Sequence, residues 1–400
     1  MQTVRPPLRR QHFARELGIE LPEHLQQDNR PWHAVVCSRL GKNLLARRQE
    51  IAWMRISIEK AVKRGDCPLI IRDTAAAPWA DRACDLLGFD AVRLACESAN
   101  LPWQKLSLPT HVCRDQACIA IADRIDASFV RPAGTIFRLL KARVEGDQVP
   151  SVQVLLTPYS SKASNELVKA GAIGHWLNQP SSEENATCPD FANSNANLAT
   201  QDLHSLVTHP ERWLIHSTRQ RTGPWPGESQ AQFNDWLLLS PPRHEQPTPI
   251  ETLQRIVREK RLIGSRRTTS GSENVACFTS LPIKQWLSRR QFRPHLGRWD
   301  CEPYGVAINR EVAARRGVVP VVYGSSLKKV GLPESEQWRF QATGSTYDWT
   351  EEQEWRAPGI VDLGTFAPDE AVIFVRDSTE RASIEDSPWP VISVEEVGQW

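Results

Sequence analysis

Between Trp32 and Leu156, short unbroken apolar runs alternate with stretches of helical period, and that alternation leaves few folds open. Trp32-His-Ala-Val-Val-Cys-Ser38 reads as a buried strand and Arg39-Leu-Gly-Lys-Asn43 as the turn after it. Ile51, Met54, Ile58 and Ala61 then recur at three- and four-residue steps, with Gly65 where a helix commonly stops. The order repeats: Pro68 to Asp73 as a strand, a helix across Trp79, Ala83, Leu86 and Leu87 ending near Gly88, and Ala91 to Ala95 as the third strand. A helix near Gln116 to Ala122, a strand from Ala127 to Val130, a helix from Thr135 to Val144 and a strand from Val152 to Leu156 complete the series. Strands separated by helices pair in parallel, because each crossover returns the chain to the sheet in its original direction. This predicts an α/β, Rossmann-like parallel-sheet domain over residues 30–175.

The pattern then breaks. From Gln179 to Gln201 the residues are mostly Ser, Asn, Glu, Ala and Thr, with too few apolar groups to offset the entropy of ordering them. We read residues 176–208 as a polar linker. Beyond it, strand-like runs at Trp213 to Thr218, Val275 to Thr279, Tyr304 to Ile308, Val318 to Tyr323 and Ala371 to Val375 outnumber the clear helix, Thr252 to Leu262. That ratio predicts an α+β domain with a largely antiparallel sheet over residues 209–400. A chain of 400 residues exceeds what one core organises, in keeping with two domains.

A net charge of +2 gives no global field toward nucleic acid or an anionic membrane. The local cluster Arg255, Arg258, Lys260, Arg261, Arg266 and Arg267 reads first as a solvated helix face and second as a phosphate groove. Nine cysteines are scattered without C-x-x-C pairs, as suits small buried apolar residues better than a zinc or redox centre. No metal site is expected. Residues 1–16 lack the apolar core of a signal peptide, and no apolar run reaches the ~18 residues of a membrane span. The expectation is a cytoplasmic protein without membrane contact.

Ligands of a parallel sheet sit outside the carboxyl ends of its strands, which draws attention to Ser38 and to Arg131-Pro-Ala-Gly-Thr135. Gly134 and Thr135 at a helix start offer backbone N–H groups and a hydroxyl to an anion, and Arg131 adds charge. Gly134 relieving a tight turn with Thr135 capping the helix accounts for the same residues. The region resembles the Rossmann nucleotide-binding family of lysine-decarboxylase-like and DNA-processing A-like proteins, whose Gly-Thr turn opens a helix beneath a phosphate. The family's fuller glycine-rich loop is absent. The resemblance implies a nucleotide ligand that is sensed and not cleaved.

The second half carries His216 and Thr218 alternating on one face of an apolar strand, the turn Ile263-Gly-Ser265, the segment Cys277-Phe-Thr-Ser-Leu-Pro282, and a late acidic stretch, Trp349-Thr-Glu-Glu-Gln-Glu-Trp-Arg356. In that order the motifs resemble the ADP-ribosyltransferase superfamily, in particular DNA-targeting toxins and related phage-defence proteins, over roughly residues 210–376. The resemblance implies NAD as substrate, His216 as ribose ligand, Glu354 as catalytic carboxylate, Thr218 and Thr279 as cofactor-positioning groups, and Tyr304 or Tyr323 stacked on nicotinamide. The chemistry is coherent: loss of nicotinamide leaves an oxocarbenium-like carbon, which a fixed carboxylate stabilises as glycosidases do. Thr222-Gly-Pro-Trp-Pro-Gly-Glu-Ser229 departs from the pattern, either as a gating loop or as a rigid turn.

Three functions follow for testing. One is an ADP-ribosyltransferase or NAD glycohydrolase with a nucleotide-sensing first domain and a nucleic-acid or protein acceptor. Another is a non-enzymatic regulatory or antitoxin-like nucleotide binder. The least favoured is a metal-dependent nuclease using His216, Asp348, Glu352 and Glu354.

Overall fold

The computed structural model describes residues 9–96, 102–147, 149–157, 160–177, 205–241, 248–265, 273–293, 298–343, 348–384 and 386–397. The chain divides into two compact units, Met1–Thr187 with Ser229–Gln246, and Cys188–Glu228 with Pro247–Trp400.

The first unit is built on seven strands: β1 Trp32–Val36, β2 Cys67–Ile71, β3 Val92–Ala95, β4 Gln104–Lys105, β5 Arg124–Ala127, β6 Val152–Leu156 and β7 Ile173–Trp176. All pair in parallel, in the order β4-β3-β2-β1-β5-β6-β7. β1 and β2 are buried along their whole length, which is why they read as continuous apolar runs and not as alternating ones. Trp32, Ala34 and Val36 face one core with the helices Arg114–Ile121, Thr135–Gly146 and Lys162–Ala170. Val35 and Cys37 face the other, with Arg48–Lys63, Ala77–Leu87 and Gln230–Leu239. Burying Ile51, Met54 and Ile58 of the first of these contributes roughly 1.5–3 kcal/mol per side chain, more than propensity alone gives a helix of this length.

Several expectations need correcting. The strand expected at Ala127 to Val130 ends at Ala127, so Ser128 to Val130 form the loop beyond it. The sheet does not end at Leu156: Lys162–Ala170 and β7 add a further helix and strand. Gln230–Leu239, which no apolar period announced, opens with a capping box in which Ser229 and Gln232 satisfy each other's backbone N–H groups. It packs in the first unit, where Arg55 donates to the Leu238 carbonyl at 2.8 Å and Arg82 grips Asp235 through two 2.7 Å bonds. Most of the expected linker, residues 178–204, lies outside the described residues, as do Arg266 and Arg267. No described helix is long and apolar enough to cross a membrane. Of the described cysteines only Cys113 is exposed, and burial pushes the thiols of Cys37, Cys84 and Cys118 up to about 12.

The strands of the second unit are, in chain order, β8 Trp213–Ser217, β9 Arg261–Ile263, β10 Val275–Thr279, β11 Gln291–Arg293, β12 Arg298–Asp300, β13 Gly305–Asn309, β14 Val319–Pro320, β15 Val322–Gly324, β16 Phe340–Ala342, β17 Glu354–Pro358, β18 Ile360–Asp362, β19 Ala371–Val375 and β20 Val391–Ser393. Seven of them form a mixed sheet in the order β14-β17-β10-β8-β13-β19-β20, antiparallel except for the β19–β20 pair. The expected strand Val318 to Tyr323 is two short strands, with β14 in this sheet and β15 paired to β16. Glu352 is not on a strand: Trp349–Glu352 is a 3-10 turn, and Gln353 at φ 45° reverses the chain before β17 begins.

Two glycines mark close approaches. A Cβ on Gly305 would lie 2.0 Å from the His216 carbonyl oxygen and 2.6 Å from the Phe374 ring. One on Gly264 would lie 2.6 Å from the Gly359 carbonyl oxygen and 2.8 Å from the Val275 nitrogen, so the Ile263-Gly-Ser265 turn is a tight backbone crossing.

Candidate functional site

β8 pairs with β13 through five residues, and β10 with β17 through five, yet β8 and β10 share only Thr279 opposite Ile215. The sheet parts there. His216 takes over where the ladder stops, its Nδ1 lying 2.9 Å from the Cys277 carbonyl oxygen. A carbonyl only accepts, so Nδ1 carries the proton and Nε2 is the ring's acceptor. Burial lowers the His216 pKa against the opposing pull of the Cys277 bond, which keeps the ring neutral at pH 7.

At this parting lies a cavity of about 690 Å³, within the roughly 300–1,000 Å³ of small-molecule sites. His216, Thr218, Thr279, Glu352, Glu354 and Arg356 all line it. Thr218 is 1% exposed, and its Oγ1 is buried with no hydrogen-bond partner among the described residues. The same holds for Thr252 Oγ1 and Trp286 Nε1, both on residues of the cavity lining. A buried polar atom left unpaired costs about 1–3 kcal/mol, so these three on one cavity are groups that water or a ligand entering it can satisfy.

The remaining expected residues divide. Thr279 lines the cavity, but its hydroxyl is committed, donating to the Glu352 carbonyl at 2.6 Å and accepting from Leu281 N at 3.1 Å. Glu354 is gripped by the Arg356 fork, Nε to Oε1 at 3.0 Å and Nη2 to Oε2 at 2.9 Å. Arg356, 2% exposed, also donates to the Trp338 and Phe340 carbonyls and to Gln341 Oε1. Register sets Glu354, Thr279 and Ile215 on one face of the sheet and His216, opposite Val306, on the other. Residues of both faces are nonetheless in the cavity lining.

Neither tyrosine lines the cavity. Tyr304 is core, its hydroxyl donating to Glu380 Oε1 at 2.9 Å, while the Tyr323 hydroxyl accepts from Glu354 N at 3.0 Å. The aromatic walls are Trp225, Phe278, Trp286 and Trp349. Trp225 comes from the proline-rich loop, with the guanidinium groups of Arg221 at 3.8 Å and Arg255 at 4.4 Å from its ring centre. Glu228, in turn, holds Arg221 at 2.5 Å and accepts from Trp225 N at 2.8 Å, which makes the loop a built turn. A lone Trp between two prolines was the available sequence signal. Of the basic cluster, Arg255 and Arg261 line the cavity and Arg258 and Lys260 are exposed. Among the described residues no three His, Cys, Asp or Glu side chains gather as metal ligands.

In the first unit the chain runs outward from β1 to β4 and returns to β5 on the other side of β1, so β1 and β5 bracket the topological switch point. Ser38 and the Arg131 to Thr135 turn follow those two strands. Ser38 Oγ accepts from Arg131 N at 3.0 Å, and Arg131 Nη2 reaches the Arg39 carbonyl at 2.5 Å. Gly134, not Thr135, is the helix N-cap and makes no side-chain cap bond, while Thr135 is the first helical residue. The capping role considered for Thr135 is therefore corrected.

No protein-family model matches the chain, and no curated protein does. Among the solved structures that resemble part of it are the following, each at a TM-score of 0.28. DNA processing protein A of Streptococcus pneumoniae is 13% identical over 36% of this chain, which spans 58% of that protein. The molybdenum cofactor carrier protein of Chlamydomonas reinhardtii is 13% identical over 38% of this chain and 91% of its own. DNA processing protein A of Helicobacter pylori, described for its single-stranded DNA binding, is 15% identical over 39% of this chain and 80% of its own.

Proposed function

We propose that the second unit binds NAD in the cavity between β8 and β10 and cleaves its nicotinamide–ribose bond, as an ADP-ribosyltransferase or NAD glycohydrolase. The observation that carries this reading is the unpaired Thr218 hydroxyl beside neutral His216, in one cavity with two glutamates. A hydroxyl and an imidazole acceptor suit ribose hydroxyls, and a carboxylate suits the positive charge that grows at C1′. The C1′–N1 bond breaks heterolytically and its electron pair leaves with nicotinamide, cancelling the ring's charge. C1′ then takes an oxygen from water, or from an acceptor hydroxyl, whose proton passes to solvent. In the first unit, the Ser38–Arg131–Gly134 turn at the switch point is the seat of an anionic nucleotide that regulates the second.

The test is nicotinamide release from NAD by the purified protein and by His216→Ala, with and without single-stranded DNA as acceptor. Release by the wild type, with KM raised about tenfold or more in the variant, supports the reading. The Glu354–Arg356 chelate favours a second one, a nucleotide-binding regulator without turnover. NAD binding with no release under any condition decides for it.

A further inference from the structure

Resting on that NAD-cleaving reading, we infer that Arg219, the residue after Thr218, holds the pyrophosphate, so that the cavity binds the dinucleotide far more tightly than the bare nucleoside. Five arginines and four acidic residues line the cavity. Three of the arginines are matched by acids of the same wall: Arg255 Nε lies 2.6 Å from Glu259 Oε1, Arg293 Nε 2.9 Å from Asp300 Oδ2, and the Arg356 fork holds Glu354. Arg261 is exposed, where solvent and salt screen its charge. Arg219 is half-buried, and among the described residues it makes no hydrogen bond or ion pair. A guanidinium partly withdrawn from water calls for an anion, and its fork of N–H donors matches the oxygens of a phosphate.

Position agrees with charge. β8 pairs with β10 only at Ile215; His216 and Thr218 follow that pair, and Arg219 comes just past the end of the strand at Ser217. In NAD the pyrophosphate hangs from C5′ of the ribose that carries nicotinamide, so the residue beside the ribose-binding Thr218 is placed for the first phosphate. The Arg219 charge is also felt by the reactive part of the site. Together with burial it lowers the His216 pKa, and it opposes the rise that burial and Glu354 impose on Glu352. One side chain is thus within electrostatic reach of the histidine and of the glutamate.

The experiment measures, by calorimetry at two salt concentrations, the affinity of wild type, Arg219→Gln, Arg219→Lys and Arg261→Gln for two probes. ADP-ribose keeps the pyrophosphate and has no nicotinamide to lose; nicotinamide riboside has no phosphate. Melting temperature and nicotinamide release from NAD are followed alongside. Arg219→Gln is expected to weaken ADP-ribose binding about tenfold or more and to lose most of its salt dependence, with nicotinamide riboside within about twofold and melting unchanged. Arg219→Lys keeps the charge without the fork and is expected to fall between; it carries the test should Arg219→Gln fail to fold. Arg261→Gln is expected to stay within about threefold of wild type. Wild-type affinity for ADP-ribose in a folded Arg219→Gln overturns the assignment and leaves Arg219 a distant counter-charge to Glu352. An equal loss for nicotinamide riboside, or a loss with the salt dependence intact, also overturns it. A wild type that binds ADP-ribose through Arg219 and releases no nicotinamide from NAD removes the reading and keeps the assignment; one that binds neither ADP-ribose nor NAD overturns both.

Discussion

Thr218 shows how a single hydroxyl separates a ligand site from a core. At 1% exposure with Oγ1 unpaired among the described residues, it weakens the empty protein in a way that valine, of nearly the same shape, would not. We expect Thr218→Val to raise the stability of the ligand-free protein by about 1 kcal/mol in denaturant titration and to weaken NAD binding about tenfold. A loss of stability would mean the hydroxyl has a partner and the site is misread. Sequence could name Thr218, because alternation with His216 on an apolar strand is visible there. It could not show which hydroxyl is idle: Thr279 looked equivalent and is fully bonded. Nor could it weigh Tyr304 against Tyr323, since each hydroxyl's partner, Glu380 or the Glu354 backbone, is far away in the chain.

The parting of β8 from β10 depends on β8 being held firmly on its other edge. There the Gly305 backbone pairs with Ser217 so closely that any Cβ meets the His216 carbonyl. Gly305→Ala must push β13 away from β8, at a cost of about 3 kcal/mol and with His216 displaced from Cys277. Thermal unfolding checks the first consequence. The His216 imidazole NMR signals check the second, and an unchanged tautomer at wild-type stability would contradict this account. The elements themselves were legible to different degrees. β1, β2, β6, β10 and β19 were plain because all are buried runs of strand length, whereas β4, β9, β11 and β12 are too short for a period to show. The 3-10 turn at Trp349–Glu352 was hidden because its φ 45° at Gln353 has no glycine to announce it.

Each unit carries a buried histidine whose pKa burial lowers: His33, between Ser57 at 2.9 Å and Asp126 at 3.5 Å in the first, and His216 in the second. In the unfolded chain such a ring takes up a proton below about pH 6.5, and in the folded protein it does not. The unfolded state therefore binds more protons, so stability falls as pH drops from about 6.5 toward the lowered folded values. Denaturant midpoints at pH 7.5 and pH 6 should show both units losing stability at the lower pH; a rise would mean that the raised carboxyls of Asp115 and Glu302, which act in the opposite sense, dominate. Across the molecule, the class of each sheet was legible from residue order alone. Apolar period and strand length follow from which faces are buried, and a parallel sheet covered on both sides must read as Val-Val or Leu-Ile-Ile runs. The tertiary structure decided which unit claims Gln230–Leu239, where the second sheet parts, and which carboxylate Arg356 takes. Those depend on contacts between residues distant in the chain, such as Arg55 with Leu238 and Ile215 with Thr279, and a local pattern holds no record of them.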